Sequence, residues 1–257
     1  MAPAPRTLYV HDDLTDALRA HGERSRACQL GQRLLATLRR SGSRVVVLTL
    51  AEQLDALVAH GEHAPFAHTI GIGRAGARVA AQVHARTGWF PAIHRVDVWR
   101  EEDGRGGYVV SGPAPIASQL PSALGEATSI AVVDDTVFSG LTMRAVLAAL
   151  LPAARRHTRV FCLRAVAESL EPVARLAPVT AGFAPPGRIH EDVSFINASG
   201  LVDRTAIRRA GQPSLAFFER PEWIHAWFPG DHEEVIAICR ELRAELDSGS
   251  AAPRAEG

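Results

Sequence analysis

Short apolar runs alternate with longer amphipathic stretches along this chain, and the alternation predicts strands and helices in turn. The segment 12–40 spaces Leu14, Leu18, Leu30, Leu34, Leu35 and Leu38 as a helical region would. Ser43 to Leu50 (SRVVVLTL) predicts a strand and Ala51 to Ala59 a helix. Ala67 to Ile72 predicts a strand running into Gly-Arg-Ala-Gly, followed by a helix from Ala77 to Arg86. Ile93 to Arg100 and Gly107 to Val110 read as two arms of a hairpin around the charged tip Glu101-Glu102-Asp103-Gly104-Arg105. Ser129 to Val133 is the most strand-like segment, with a helix predicted from Thr142 to Leu151 and a strand from Arg159 to Ala165. Between 176 and 215 the apolar pieces PVTAGF and VSFINA are broken by Gly and Pro. Residues 231–246 predict a last helix, acidic at its start (Asp231, Glu233, Glu234) and rich in arginine later, as the helix dipole favours. Strands alternating with helices predict an α/β fold with a mostly parallel sheet covered on both faces.

Composition narrows the chemistry. With 257 residues, 47% hydrophobic content and formal net charge zero, the chain fits one sizeable α/β domain with additions, or two small ones. No internal repeat or linker stands out, so one domain is the economical expectation. Balanced charge argues against a dedicated nucleic-acid or membrane binder. All 28 basic residues are arginine. The absence of lysine excludes a Schiff-base or Walker lysine and leaves phosphate binding to arginine and backbone amides. Cys28, Cys162 and Cys239 are odd in number and far apart, which fits a reducing, cytoplasmic setting. The opening Met1 to Arg6 has no apolar run of the signal-peptide kind, and no stretch is long and apolar enough to predict a membrane span. The polar tail from Asp247 is expected to be disordered.

The chemistry concentrates in Ile130-Ala-Val-Val-Asp134-Asp135-Thr136-Val-Phe138-Ser139-Gly140-Leu141-Thr142. Four apolar residues bury a strand, and two carboxylates follow at its carboxyl end, where open α/β sheets hold their ligands. A helix then starts behind Ser139, Gly140 and Thr142. Its unpaired N–H groups and partial positive charge accept an anion such as phosphate. Gly140 permits close approach, and Ser139 and Thr142 add hydroxyl donors. A carboxylate pair suits a sugar diol, so phosphate and diol together describe a ribose 5-phosphate.

This stretch resembles the signature of the type I phosphoribosyltransferases: apolar residues, Asp/Glu-Asp, two linkers, a small residue, Ser/Thr, Gly, any residue, Ser/Thr. The resemblance implies that Asp134 and Asp135 hold the ribose hydroxyls of 5-phosphoribosyl-1-pyrophosphate (PRPP), touching Mg2+ only indirectly. It implies that Phe138, Ser139, Gly140, Leu141 and Thr142 hold the 5-phosphate. Phe138 stands where the family has a small residue or, in 6-oxopurine enzymes, an aspartate. It cannot act as acid or base and offers a face for stacking.

A second glycine loop lies upstream. Gly71-Ile-Gly73-Arg74-Ala75-Gly76 reads G-x-G-x-x-G between strand and helix, with Asp97 about twenty residues beyond, the spacing of a dinucleotide-binding unit. The phosphoribosyltransferase resemblance accounts for both loops, since that family grips pyrophosphate with a first strand–loop–helix. Arg74 with the amides of Ala75 and Gly76 would fill that role. The family also carries a mobile hairpin that closes over the reacting centre. Residues 96–112 match it in position, with Arg100, Arg105 and Tyr108 as the groups to reach pyrophosphate.

Five aromatics fall within 217–228: Phe217, Phe218, Trp223, Trp227 and Phe228. Core packing and an acceptor pocket both explain them; in the second case Trp223, Trp227 and Phe228 join Phe138 around a planar acceptor. His60, His63 and His68 share a Gly- and Pro-containing turn that matches no zinc-site spacing and reads as a surface loop.

The expected architecture is a Rossmann-like type I phosphoribosyltransferase core over 43–212. A helical extension precedes it (1–42), a variable C-terminal hood and helix follow (213–247), and a disordered tail ends the chain (248–257). The resemblance implies transfer of the 5-phosphoribosyl group from PRPP to a planar nitrogenous acceptor with release of pyrophosphate, Mg2+ as cofactor, and a homodimer. Two other readings stand beside it: a non-catalytic PRPP-sensing regulator of the same fold, and an NAD(P)-binding oxidoreductase built on Gly71–Gly76.

Overall fold

The computed structural model describes residues 7–42, 44–102, 107–188, 191–204, 206 and 213–250. In chain order the elements are β1 (Thr7–Asp12), α1 (Leu14–Arg19), α2 (Arg26–Arg40), β2 (Val45–Thr49), α3 (Leu50–Val58), β3 (His68–Ile72), α4 (Gly73–Thr87), β4 (Ile93–Val96), β5 (Trp99–Glu102), β6 (Tyr108–Ser111) and α5 (Ile116–Gln119). There follow β7 (Ile130–Val137), α6 (Leu141–Ala149), α7 (Pro152–Arg156), β8 (Thr158–Ala165), α8 (Ala167–Ala174), β9 (Val179–Phe183), β10 (Val193–Asn197), α9 (Pro221–Trp227) and α10 (His232–Ser250).

The chain forms two compact units, one from residues 51–189 and one from residues 1–50 together with 190–257. The boundaries read from the sequence therefore shift. Val45–Thr49, expected in the 43–212 core, pairs in parallel with Thr7–Asp12, and β1 pairs in parallel with β10 on its other side. The first 42 residues thus contribute a central strand as well as helices. The expected helical region 12–40 is two helices, broken at Gly22, whose φ of +96° suits glycine alone. Ser25 restarts the chain by accepting the Cys28 N–H on its hydroxyl at 3.2 Å. Leu30, Leu34, Leu35 and Leu38 then form the buried stripe of α2. The last helix runs to Ser250, past the Asp247 at which the tail was expected to lose order.

The 51–189 unit is built on a five-stranded parallel sheet in the order β4-β3-β7-β8-β9. The run Ile130–Val133 is fully buried, so both faces of β7 are covered, as in a parallel sheet flanked by helices. Ile130 and Val132 share a core cluster with Met143, Val146 and Leu147 of α6. The order reverses direction between β3 and β7: from β3 the chain steps outward to β4, then returns to β7 on the other side. Such a switch point opens a crevice at the carboxyl ends of the two strands. The expected long hairpin is divided: Ile93–Val96 joins the main sheet, and only Trp99–Glu102 pairs antiparallel with Tyr108–Ser111. The 60–68 turn also differs from a plain surface loop, because the half-buried His63 ring packs on Trp89 at 4.8 Å and Phe161 at 5.2 Å.

Candidate functional site

β7 is longer than its apolar run predicts. It pairs with β3 only as far as Gly71↔Val133, but with β8 it continues through Asp134↔Cys162 and Thr136↔Arg164 to Val137↔Ala165. The acidic pair therefore sits on a strand held on one side, at the switch point. α4 starts directly after β3, with Gly73 at φ +58°. Its Gly76 presses against β7: a Cβ there would lie 2.3 Å from the Val133 carbonyl oxygen and 3.1 Å from Asp134 Cα. At Gly71 a Cβ would meet the Ala77 backbone at 2.5 Å. Both glycines are thus demanded by close approach, and they bring the first turn of α4 beside Asp134. Arg74 is exposed on that turn, next to the half-buried Ala75.

A second glycine turn follows β7. Gly140 is the residue before α6, with φ +69°, and a Cβ on it would lie 2.9 Å from Val173 Cγ2. The Phe138 carbonyl accepts from the Ser169 hydroxyl, tying the turn to α8. The Leu141 N–H points to Ser139 Oγ at 3.5 Å. Ser139 is exposed and Leu141 and Thr142 are half-buried, so the start of α6 offers N–H groups and hydroxyls to an anion.

The two carboxylates differ electrostatically. Burial and then the neighbouring Asp135 carboxylate push Asp134 well above the usual carboxylate range. Asp135 faces a cation: its Oδ2 takes Arg164 Nη2 at 3.2 Å and the Thr136 hydroxyl at 3.2 Å. Arg164 has 3% of its side chain exposed, and its Nη1 donates to Gln53 Oε1 at 3.2 Å. Sequence reasoning passed over Arg164. The signal was present, a single charged residue inside the apolar run Val160–Val166, because a charge in a fully buried strand needs a partner. Cys162, opposite Asp134, is held as a thiol by burial and by the acidic pair.

The hairpin contributes Arg100, whose guanidinium lies 5.8 Å from the centre of the Phe138 ring. Tyr108 pairs with Glu102, which puts it on the same hairpin face as Arg100, with 56% of its surface exposed. Arg105 lies outside the described residues. Asp97, the acid expected of a dinucleotide site, is engaged by Arg95 Nη2 at 2.7 Å.

The C-terminal aromatics belong to the other compact unit. Phe228 is fully buried and Trp227 nearly so, both inside its core cluster, and Trp223 stacks on Phe217 at 4.5 Å. Their density in the sequence is accounted for by packing. Of the residues expected around an acceptor, Phe138 alone lies in the unit that carries the acidic pair.

Among the described residues no group of three or more His, Cys, Asp or Glu side chains gathers as a metal cage. The acidic pair nonetheless fits Mg2+, which takes one or two carboxylates and completes its shell with phosphate and water. Two adjacent carboxylates, one of them strained toward protonation, are a donor set that a further cation relieves.

No protein-family model matches the chain, and no curated protein does. Among solved structures it is similar to a purine phosphoribosyltransferase from Pyrococcus horikoshii, with 18% identity and a TM-score of 0.38 over 58% of this chain and 89% of that one. It is similar to a xanthine-guanine-hypoxanthine phosphoribosyltransferase from Helicobacter pylori, with 14% identity and a TM-score of 0.34 over 73% and 92%. A hypothetical protein from Neisseria gonorrhoeae with bound ppGpp matches with 17% identity and a TM-score of 0.41 over 58% and 85%. At this level of likeness the site's own geometry carries the functional reading. No described helix is long and apolar enough to cross a membrane.

Proposed function

We propose that the 51–189 unit binds PRPP and transfers its 5-phosphoribosyl group to a planar nitrogenous acceptor, a nucleobase or related heterocycle, releasing pyrophosphate. The observation that carries this reading is the contact of Gly76 with Val133 and Asp134. It sets one anion-accepting helix start beside the acidic pair, while a second begins a few residues further along the same chain at Gly140. A phosphate at each end with a diol between them is the pattern of PRPP.

In this reading the N–H groups of Leu141 and Thr142, with the Ser139 and Thr142 hydroxyls, hold the 5-phosphate. Asp134 and Asp135 accept hydrogen bonds from the ribose hydroxyls. Arg74 and the amides of Ala75 and Gly76 receive the pyrophosphate, Arg100 and Tyr108 approach it from the hairpin, and Arg105, outside the described residues, is assigned the same role. The bond from C1 to the pyrophosphate oxygen breaks, the leaving group keeps the electron pair, and the acceptor nitrogen forms the new bond to C1. Arginine neutralises charge that grows on the departing pyrophosphate, so catalysis is mostly positioning and electrostatics. Mg2+, held through the acidic pair, would supply further neutralisation of the same phosphates. Phe138 offers the acceptor a stacking face. The homodimer, the cytoplasmic setting and the family's hood belong to the same proposal.

Titration calorimetry with PRPP and Mg2+, followed by pyrophosphate release on a panel of bases, tests it. Saturable PRPP binding is expected, lost in Asp134→Asn and weakened but still measurable in Asp135→Asn; an equal response in those variants overturns the assignment. Binding without turnover on any base would favour the PRPP-sensing regulator. The close approaches at Gly71 and Gly76 also suit a dinucleotide turn. That reading gives no part to Asp135, Arg164 or the Gly140 turn, and NAD binding that survives Asp135→Asn would favour it.

A further inference from the structure

We propose that Arg164 is a positioning residue for the acidic pair, locked by Gln53 and aiming the Asp135 carboxylate at the sugar diol; this rests on the ribose reading above. A guanidinium buried to this degree costs several kcal/mol in lost hydration unless its donors are used, and an apolar side chain would fill the same place on β8 without that cost. The structure uses the donors in two directions. Nη2 reaches Asp135 Oδ2 at 3.2 Å, and Nη1 reaches Gln53 Oε1 at 3.2 Å. Gln53 is itself only 1% exposed, on α3, so the partner that fixes the guanidinium plane is also fixed. The Thr136 hydroxyl adds a second donor to the same Oδ2.

Both contacts fall on one carboxylate oxygen. Oδ2 is turned to the protein, and Oδ1 takes neither of these two contacts. The planar fork of arginine sets a direction as well as a charge, which a lysine ammonium cannot do. Asp135 thereby meets its ligand already ordered, with less rotamer freedom to lose on binding. Arg164 also sets a permanent positive charge beside the two carboxylates, which eases their mutual repulsion.

The test is a double-mutant cycle read by calorimetry with ribose 5-phosphate, in which Arg164→Met and Asp135→Asn are made singly and together. Arg164→Met is expected to weaken binding about 30-fold in the native background and less than about 2-fold in the Asp135→Asn background, the non-additivity of a pair that acts as one. Arg164→Lys keeps the buried charge and loses the fork, so it is expected to fold and to weaken binding by roughly 5-fold. It carries the same cycle if the Met variant does not fold. Folded Arg164 variants that bind as tightly as the native protein overturn the positioning role. So does an equal loss in both backgrounds, which marks a general structural effect. A native protein that ignores ribose 5-phosphate overturns the ribose reading itself, so the two failures are distinguishable.

Discussion

Gly76 lies so near Val133 that no side chain fits between helix α4 and strand β7; a methyl group there would meet the Val133 carbonyl oxygen at 2.3 Å. Backbone against backbone is a stiff contact, since neither partner has a rotamer through which to yield. Asp134 is the next residue along β7, so the distance between α4 and the acidic pair is set by this one glycine.

Gly76→Ala is therefore expected to move α4 off β7. Urea unfolding should fall by about 1–3 kcal/mol, the usual range for overpacking, and PRPP affinity should drop with it. Unchanged affinity with a folded protein would separate α4 from the site.

Gly140→Ala meets two penalties: a left-handed φ of +69° and the Val173 methyl 2.9 Å from the new Cβ. The backbone part alone costs about 1–2 kcal/mol. Gly230 has open space around its Cβ position and no positive φ, and Gly230→Ala should stay within about 0.5 kcal/mol in the same urea titration. Equal effects at the two positions would contradict the tight turn before α6.

Asp134 predicts a pH dependence. Its pKa is raised in the fold by burial and by Asp135. The folded state thus binds its proton more tightly than the unfolded chain does. This contribution is fully present below the ordinary carboxylate value and is lost as pH rises through the raised one. Asp134→Asn removes the group that loses its proton. The variant should melt higher than the native protein near neutral pH, with the difference shrinking on acidification, even as PRPP binding is abolished. A difference that grows toward low pH would refute the assignment.

Arg100 on Phe138 is an exposed cation–π contact, worth about 0.5–1 kcal/mol at such sites. Arg100→Ala should leave the melting temperature nearly unchanged and lower turnover by roughly 10²-fold, the scale of one lost electrostatic donor. A full rate in this variant would make the hairpin a spectator.

The parts of this site legible in the sequence were those written in consecutive residues. Ile130–Val133, the two aspartates and the Ser139–Thr142 turn follow one another along the chain, and the structure keeps them at the end of β7 and the start of α6. Gly71 to Gly76 was legible for the same reason. What escaped depends on pairing between distant segments. Nothing in TLYVHD announces a central strand, because its partners Val45–Thr49 and Val193–Asn197 come much later. The arm Ile93–Val96 was joined to the hairpin because β4 and β5 are nearly continuous; only the partner on β3 distinguishes them. Arg164 was visible as a charge but not as a neighbour of Asp135. Trp227 and Phe228 carry the same letters whether they face a ligand or a core; in the structure both lie buried in the core cluster of their unit.

The arrangement of the two units imposes an order on folding. Residues 51–189 are one uninterrupted piece of chain, while the strand at 7–12 needs the one at 193–197 to complete its sheet. During synthesis the inserted piece can close on local contacts as soon as it emerges, but β1 must wait with one edge open until β10 is made. The glycine turns at Gly73 and Gly140 are thus finished first, and the sheet that begins the chain is the last to be sealed.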